Sequence, residues 1–203
     1  MDLTGVIAAV VLAYLLGSFP AGYLVGKLFH VNVLERGSGR TGGTNVFRSA
    51  GIVAGLSTGA LDIGKGFLAV WLAGQITGNP LVQVLAGAAV ILGHIHSIFL
   101  GFRGGAGVAT SLGALAAIYL PAAVGLLILL VLIIVATRYA SVGSLTVCTL
   151  MPIVLLILGL TSTVSLVYVG YGLLAFAIIV YSHQSNIRRL LQGTERRLGT
   201  PRN

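Results

Sequence analysis

Residues 111–137 read SLGALAAIYLPAAVGLLILLVLIIVAT, an apolar run with a single proline, Pro121, inside it. As one helix this run carries the chain across a bilayer. As two helices broken between Tyr119 and Pro121 it brings the chain back to the side it left. Charge decides between them. Lys27, Arg36, Arg40 and Arg48 fall in the most polar stretch, 27–50, and Arg103 falls in a glycine loop at 101–107. Basic loops face the cytoplasm, so these two stretches are placed inside. An unbroken 111–137 then puts Arg138 and the basic tail (Arg188, Arg189, Arg196, Arg197, Arg202) outside, against that rule. A break returns every Lys and Arg to the cytoplasmic face. The sequence therefore predicts an all-α membrane protein, one compact bundle with its N-terminus out and its C-terminus in. Its seven membrane segments are expected at about 5–26, 63–77, 81–100, 111–120, 121–137, 142–158 and 163–182. The segment 111–120 is too short to cross about 30 Å of hydrocarbon at 1.5 Å per residue. It is expected to stop partway, buried among its neighbours.

Composition agrees. The chain has 203 residues, 57% hydrophobic and 8% charged, with mean hydropathy +1.03. A soluble domain carries about 25% charged residues; so few leave a water-facing surface uncovered, and lipid takes the place of water. Twelve Lys and Arg against four acidic residues give a net charge of +8. The positive-inside rule accounts for part of this excess. An anionic substrate accounts for the rest, since few carboxylates remain to neutralise or repel it. Asp62 and Lys65 near the start of 51–77 suggest an interfacial turn before the span at 63–77. The N-terminal run begins with Asp2 rather than a basic region and reads as a first span, not as a secretory signal. The lone cysteine, Cys148, forms no disulfide within the chain.

Four polar constellations interrupt the apolar runs. The first is Gly37-Ser38-Gly39-Arg40-Thr41-Gly42-Gly43-Thr44-Asn45-Val46-Phe47-Arg48. It matches G-x-G-x-x-G literally, but no strand precedes it and no βαβ unit surrounds it, so it is no dinucleotide fingerprint. Its glycines let backbone N–H groups converge on an anion. Ser38, Thr41, Thr44 and Asn45 add donors, and Arg40 and Arg48 add charge. The second is His94-x-His96 followed by Phe102-Arg103-Gly104-Gly105-Ala106-Gly107, a glycine loop opening a helix at about Val108. A helix N-terminus there offers free N–H groups and the positive dipole end. The two histidines lack a third ligand, so no metal site is expected. The third is Arg138 to Ser144, with Ser141 and Ser144 opening an apolar run. The fourth runs from His183 to Glu195, with His183 and Asn186 at i, i+3 on one helix face. No carboxylate pair is present for glycoside hydrolysis, and no acidic set for Mg²⁺-dependent phosphoryl transfer. What fits is group transfer between anionic reactants stabilised by fixed donors.

In order and composition these constellations resemble the bacterial acyl-phosphate:glycerol-3-phosphate acyltransferases of the PlsY type. The resemblance runs from Gly17-Ser18-Phe19-Pro20 to Gly199. It implies a seven-helix membrane protein of the bacterial cytoplasmic membrane, with its site at the cytoplasmic face and with no metal, cofactor or acyl-CoA. It also implies acyl transfer from acyl phosphate to glycerol 3-phosphate, giving lysophosphatidic acid and phosphate in phospholipid synthesis. Membrane lipid is the expected surrounding and nucleic acid is not a partner. Carried over by motif, Ser38, Arg48, His183 and Asn186 are expected to be catalytic. Gly37, Gly39, Arg40, Gly42, Thr44, Asn45, Arg103, Gly104, Gly105, Gly107 and Ser144 are expected to bind substrate, and Glu195 to tie the tail down. Either His183 or a substrate phosphate takes the proton from the attacking hydroxyl. Three positions depart from the family pattern: Arg40 stands where Asn is usual, Gly43 where Ala is usual, and Ala106 where Lys is usual. One expectation is that Arg40 supplies the charge missing at Ala106; the other is a divergent paralogue with altered substrate or no activity. A small organic-anion transporter and a non-catalytic, lipid-binding scaffold are the competing classes. A transporter should place polar residues mid-membrane, whereas Asp62 and Lys65 read as interfacial.

Overall fold

The computed structural model describes residues 2–199, which form helices and short loops; Arg202 of the basic tail lies outside them. The first apolar run is two helices, α1 (Leu3–Ser18) and α2 (Ala21–Leu28). Pro20 divides them, because it has no N–H to donate and pushes Phe19 into an extended conformation at ψ 119. Helix α3 (Gly43–Ala50) lies within the first polar stretch, and α4 (Ile52–Thr77) follows directly. Then come α5 (Pro80–Ile95), α6 (Val108–Ile118), α7 (Leu120–Thr137), α8 (Ala140–Leu160), α9 (Tyr168–Ser182) and α10 (Gln184–Leu191). The segment from Leu3 to Leu28, α4, α7 and α8 are long and apolar enough to cross a membrane; α5, α6 and α9 are shorter apolar helices.

Residues 111–137 are divided between two helices. Tyr119 is extended at φ −155, ψ 98, and Pro121 sits in the first turn of α7, where its missing N–H costs nothing. Helix α6 has 11 residues, and seven of them, Val108 and Thr110 to Leu115, are buried. Its backbone is covered by protein rather than lipid, which is what permits so short a helix.

The expected interfacial turn at 51–62 does not exist. α4 is one helix of 26 residues, and Asp62 and Lys65 lie inside it, 1% and 8% exposed. The two charges lie inside the bundle because they pair there, Asp62 Oδ1 standing 2.9 Å from Lys65 Nζ and 3.3 Å from His94 Nδ1. Two other expected spans are shorter than predicted: α5 stops at Ile95 before a 3₁₀ turn at Ile98–Leu100, and α9 begins only at Tyr168.

Glycines set the closest helix approaches. A Cβ on Gly66 of α4 would stand 2.1 Å from the carbonyl oxygen of Thr110, and one on Gly113 of α6 would stand 2.0 Å from that of Ile63. The pair α1–α5 repeats the arrangement: a Cβ on Gly17 would meet Val90 O at 2.2 Å, and one on Gly93 would meet Tyr14 O at 2.2 Å. Small residues at such crossings let backbones touch. The core they enclose is completed by Tyr171, whose ring lies on Gly87 and whose hydroxyl donates to Ser111 O at 2.6 Å.

Candidate active site

The first constellation is organised by Asn45, 3% exposed in α3. Its Nδ2 lies 3.0 Å from Val33 O, 3.0 Å from Arg36 O and 2.8 Å from Arg40 O, and its Oδ1 accepts from Ser38 N at 2.8 Å. One amide thus gathers the loop 33–40. Gly37 crosses directly over it at φ 61; a Cβ there would lie 2.0 Å from Asn45 Oδ1. The side chain expected to touch substrate is committed to its own loop at both ends, its NH₂ donating and its carbonyl oxygen accepting.

The second constellation docks on the first. Thr41 N donates to Gly104 O at 3.1 Å, and Arg103 Nη2 donates to Leu34 O at 3.1 Å. Beneath, Gly105 N donates to His94 O at 3.0 Å. The fourth constellation closes on both. Arg40 donates through Nη1 to Asn186 Oδ1 at 3.2 Å and through Nη2 to Ser182 O. Ser182 Oγ donates to Ala106 O at 3.3 Å. Asn186 Nδ2 donates to Glu195 Oε1 at 3.0 Å, and Arg189 Nε to Glu195 Oε2 at 2.9 Å, so Glu195 does pin the tail. Arg48 Nη2 donates to Arg196 O at 3.0 Å, and Leu198 N to Arg138 O at 2.7 Å. The polar loops therefore meet at one end of the bundle.

Three helices begin at this junction. α3 opens after Gly42, α6 after Gly107 and α10 after His183, and none of the three has a side-chain cap. Gly42 packs on Gly105 and Ala106, where an added Cβ would lie 3.9 Å from Gly105 Cα and 3.7 Å from Ala106 N. Ser182 and Arg40 join the third helix start to the other two. Uncapped first turns leave N–H groups unsatisfied and add partial positive charge. Around them stand Arg40, Arg48 and Arg103, which donate to carbonyls and to an amide; none is paired to a carboxylate among the described residues. Burial, with Arg189 nearby, pulls Arg40 below the ordinary arginine value, and Glu195 opposes. Burial does the same to Arg48, against Glu195. Arginine keeps its charge through such shifts.

Two cavities flank the first loop. The larger, about 950 Å³, is lined by Gly37, Phe47, Arg48, Tyr139, Glu195 and Arg196 among others. The smaller, about 520 Å³, is lined by Ser38, Gly39, Arg40, Arg103, Gly104 and Gly105, with Phe102 and Tyr181 at its lip. His183 is 3% exposed and lines neither; its Nδ1 lies 2.9 Å from Ile179 O and so carries the proton, which leaves Nε2 with a lone pair. Asn186 lines neither cavity and reaches the smaller one through Arg40. Thr44 is exposed on α3, Gly107 is buried at the start of α6, and Ser144 lies one turn beyond Tyr139 in α8, lining neither cavity. One participant lay outside the motifs, and another lay inside one with its partner unseen. Ser182 gave no signal beyond its place before His183. His94 reads as a packed histidine until Asp62, distant in sequence, is found 3.3 Å from its Nδ1. No group of three metal-ligating side chains occurs among the described residues.

Residues 7–193 match the family described as Glycerol-3-phosphate acyltransferase. The chain belongs to that family. A glycerol-3-phosphate acyltransferase of Syntrophomonas wolfei is 42% identical over 94% of this chain and 96% of its own length. One from Aromatoleum aromaticum is 42% identical over 92% and 93%. Among solved structures, an integral membrane glycerol 3-phosphate acyltransferase of the PlsY type, in its glycerol 3-phosphate form, superposes with TM-score 0.86 at 35% identity, covering 96% of both chains. Its lysophosphatidic acid form gives 0.85. Family membership removes the transporter and scaffold classes, and with them the weight placed on Asp62 and Lys65 as interfacial residues.

Proposed function

We propose that this chain transfers a fatty acyl group from acyl phosphate to glycerol 3-phosphate, at a site facing the cytoplasm in a bacterial cytoplasmic membrane. The observation that carries the reading is the convergence of three uncapped helix starts with Arg40, Arg48 and Arg103. That excess of positive potential calls for anions, and both reactants are anions. Glycerol 3-phosphate takes the smaller cavity, its phosphate on Arg40 and the Gly104–Gly105 loop. The acyl phosphate head takes the larger, on Arg48, with its chain toward lipid. Ser38 stands on the loop between them.

The glycerol hydroxyl attacks the acyl carbonyl carbon, a new ester C–O bond forms, and the C–O bond to the phosphate breaks. The hydroxyl proton leaves with the phosphate, either directly or by way of His183 Nε2. Fixed donors around the carbonyl and phosphate oxygens lower the barrier where negative charge gathers. Lysophosphatidic acid and inorganic phosphate are the products. Arg40 reaches Ala106 through Ser182, which supports Arg40 as the cation of this loop in place of a lysine.

The test is purified protein in lipid vesicles with labelled glycerol 3-phosphate and either acyl phosphate or acyl-CoA. Lysophosphatidic acid forming from acyl phosphate alone is expected. Product from acyl-CoA alone, or from neither donor, overturns the proposal.

His183 gives a pH prediction. Burial chiefly lowers its affinity for a proton, Arg40 adding to the fall while the Ile179 carbonyl and Glu195 oppose it. The folded protein therefore holds His183 neutral. Its contribution to stability is complete above the ordinary histidine value of about 6.5 and is lost as pH falls toward the lower, folded value. kcat is expected to be flat above about pH 6.5 and to drop on an acid limb below it. A pH–rate profile of the parent and of His183→Gln checks this; a parent limb above 6.5, or the same limb in the variant, refutes it.

A further inference from the structure

Asp62, Lys65 and His94 form a buried cluster that the chemistry above does not use. Asp62 Oδ1 lies 2.9 Å from Lys65 Nζ and 3.3 Å from His94 Nδ1, with side chains 2%, 7% and 4% exposed. Charges inside a membrane bundle are costly and mark function by default. The cluster lines neither cavity, so it does not touch substrate. What it touches is the second glycine loop. A Cβ on Gly105 would lie 2.1 Å from His94 Nε2, so the imidazole edge is the floor on which Gly105 rests. His94 O accepts from Gly105 N at 3.0 Å, and a Cβ on Gly104 would lie 2.1 Å from that same oxygen. On the far side, Lys65 Nζ donates to Phe19 O at 3.0 Å, at the break between α1 and α2. Lys65 thus fixes the carboxylate, the carboxylate orients the imidazole through Nδ1, and the imidazole sets the height of the loop.

We infer that Lys65, Asp62 and His94 are positioning residues which set the affinity for glycerol 3-phosphate by holding Gly104 and Gly105 from beneath. The inference rests on the assignment of that loop to glycerol 3-phosphate. Loss of one well-aligned donor from a phosphate cradle costs about tenfold in affinity.

His94→Asn tests it. The shorter amide keeps a donor at the Nδ1 position for Asp62 but removes the edge beneath Gly105; His94→Ala removes both. Steady-state kinetics would be read together with calorimetric binding of glycerol 3-phosphate and thermal unfolding in detergent. For His94→Asn, the KM and Kd for glycerol 3-phosphate are expected to rise about tenfold, with kcat, the KM for acyl phosphate and Tm close to the parent. His94→Ala should raise them further. Unchanged affinity in both variants, or parallel loss of kcat, both affinities and Tm, overturns the relay. A parent that binds no glycerol 3-phosphate instead overturns the substrate assignment beneath it, and the relay with it.

Discussion

Asn45→Ala is expected to lower kcat/KM by about a thousandfold or more while leaving the transmembrane helices formed. The substitution strips Ser38 N of its acceptor and the carbonyls of Val33, Arg36 and Arg40 of their donor. Each buried group left unpaired costs roughly 1–3 kcal/mol, so the loop as a whole loses several. The loop, not the bundle, absorbs that loss: Val46 and Val33 keep their apolar contacts, whereas Gly37 to Arg40 lose the amide around which they turn. Asn45→Asp should be no better. The carboxylate still accepts from Ser38 but has no donors, and it places a buried charge against three carbonyls. Circular dichroism should match the parent for both variants, while limited proteolysis at 33–42 should quicken. A variant with parent-like kcat/KM removes Asn45 from the organisation of the site.

The second large effect is at Arg40. Arg40→Ala should raise the KM for glycerol 3-phosphate between about tenfold and a hundredfold, since a charge-assisted hydrogen bond is worth roughly 1.5–3 kcal/mol and each 1.4 is a factor of ten. It should also loosen α10, because Asn186 and Ser182 lose their common partner. Arg40→Lys keeps the charge but not the fork that spans both residues, so it should recover part of the loss. Arg40→Asn with Ala106→Lys moves the cation to the other loop; recovery of glycerol 3-phosphate affinity in that double variant is the sharpest check. If Arg40→Asn alone binds glycerol 3-phosphate as the parent does, Arg40 does not carry the substrate phosphate.

Much of this was legible in the residues. The break at Tyr119 followed from asking where Arg138 and the tail belonged, a question about charge that hydropathy alone does not raise. The helix starting at about Val108 followed from Gly107. The alignment of His183 with Asn186 followed from spacing. What stayed hidden depended on contacts between distant positions. Asp62 and Lys65 read as interfacial charges because their third partner, His94, lies on another helix. Asn45 looked like a ligand for substrate because nothing in its neighbourhood reveals that Val33 O, Arg36 O and Arg40 O come back to meet it. Helix α3 was missed inside a stretch read as loop, although Val46 and Ala50 share its inner face between Gly42 and Gly51.

The paired glycine–carbonyl contacts between α4 and α6, and between α1 and α5, have a consequence for how the protein lives in its membrane. Each crossing is indexed: sliding either helix by one residue drives a side chain into a carbonyl. The depth of α6, and hence of the loop ahead of it, is measured against other helices rather than against the acyl chains outside. Bilayers of different thickness can tilt or strain α7, the least buried of the long apolar helices, without resetting the distance between Gly42 and Ala106. The end of the bundle where the polar loops meet is thereby insulated from the thickness of the lipid around it.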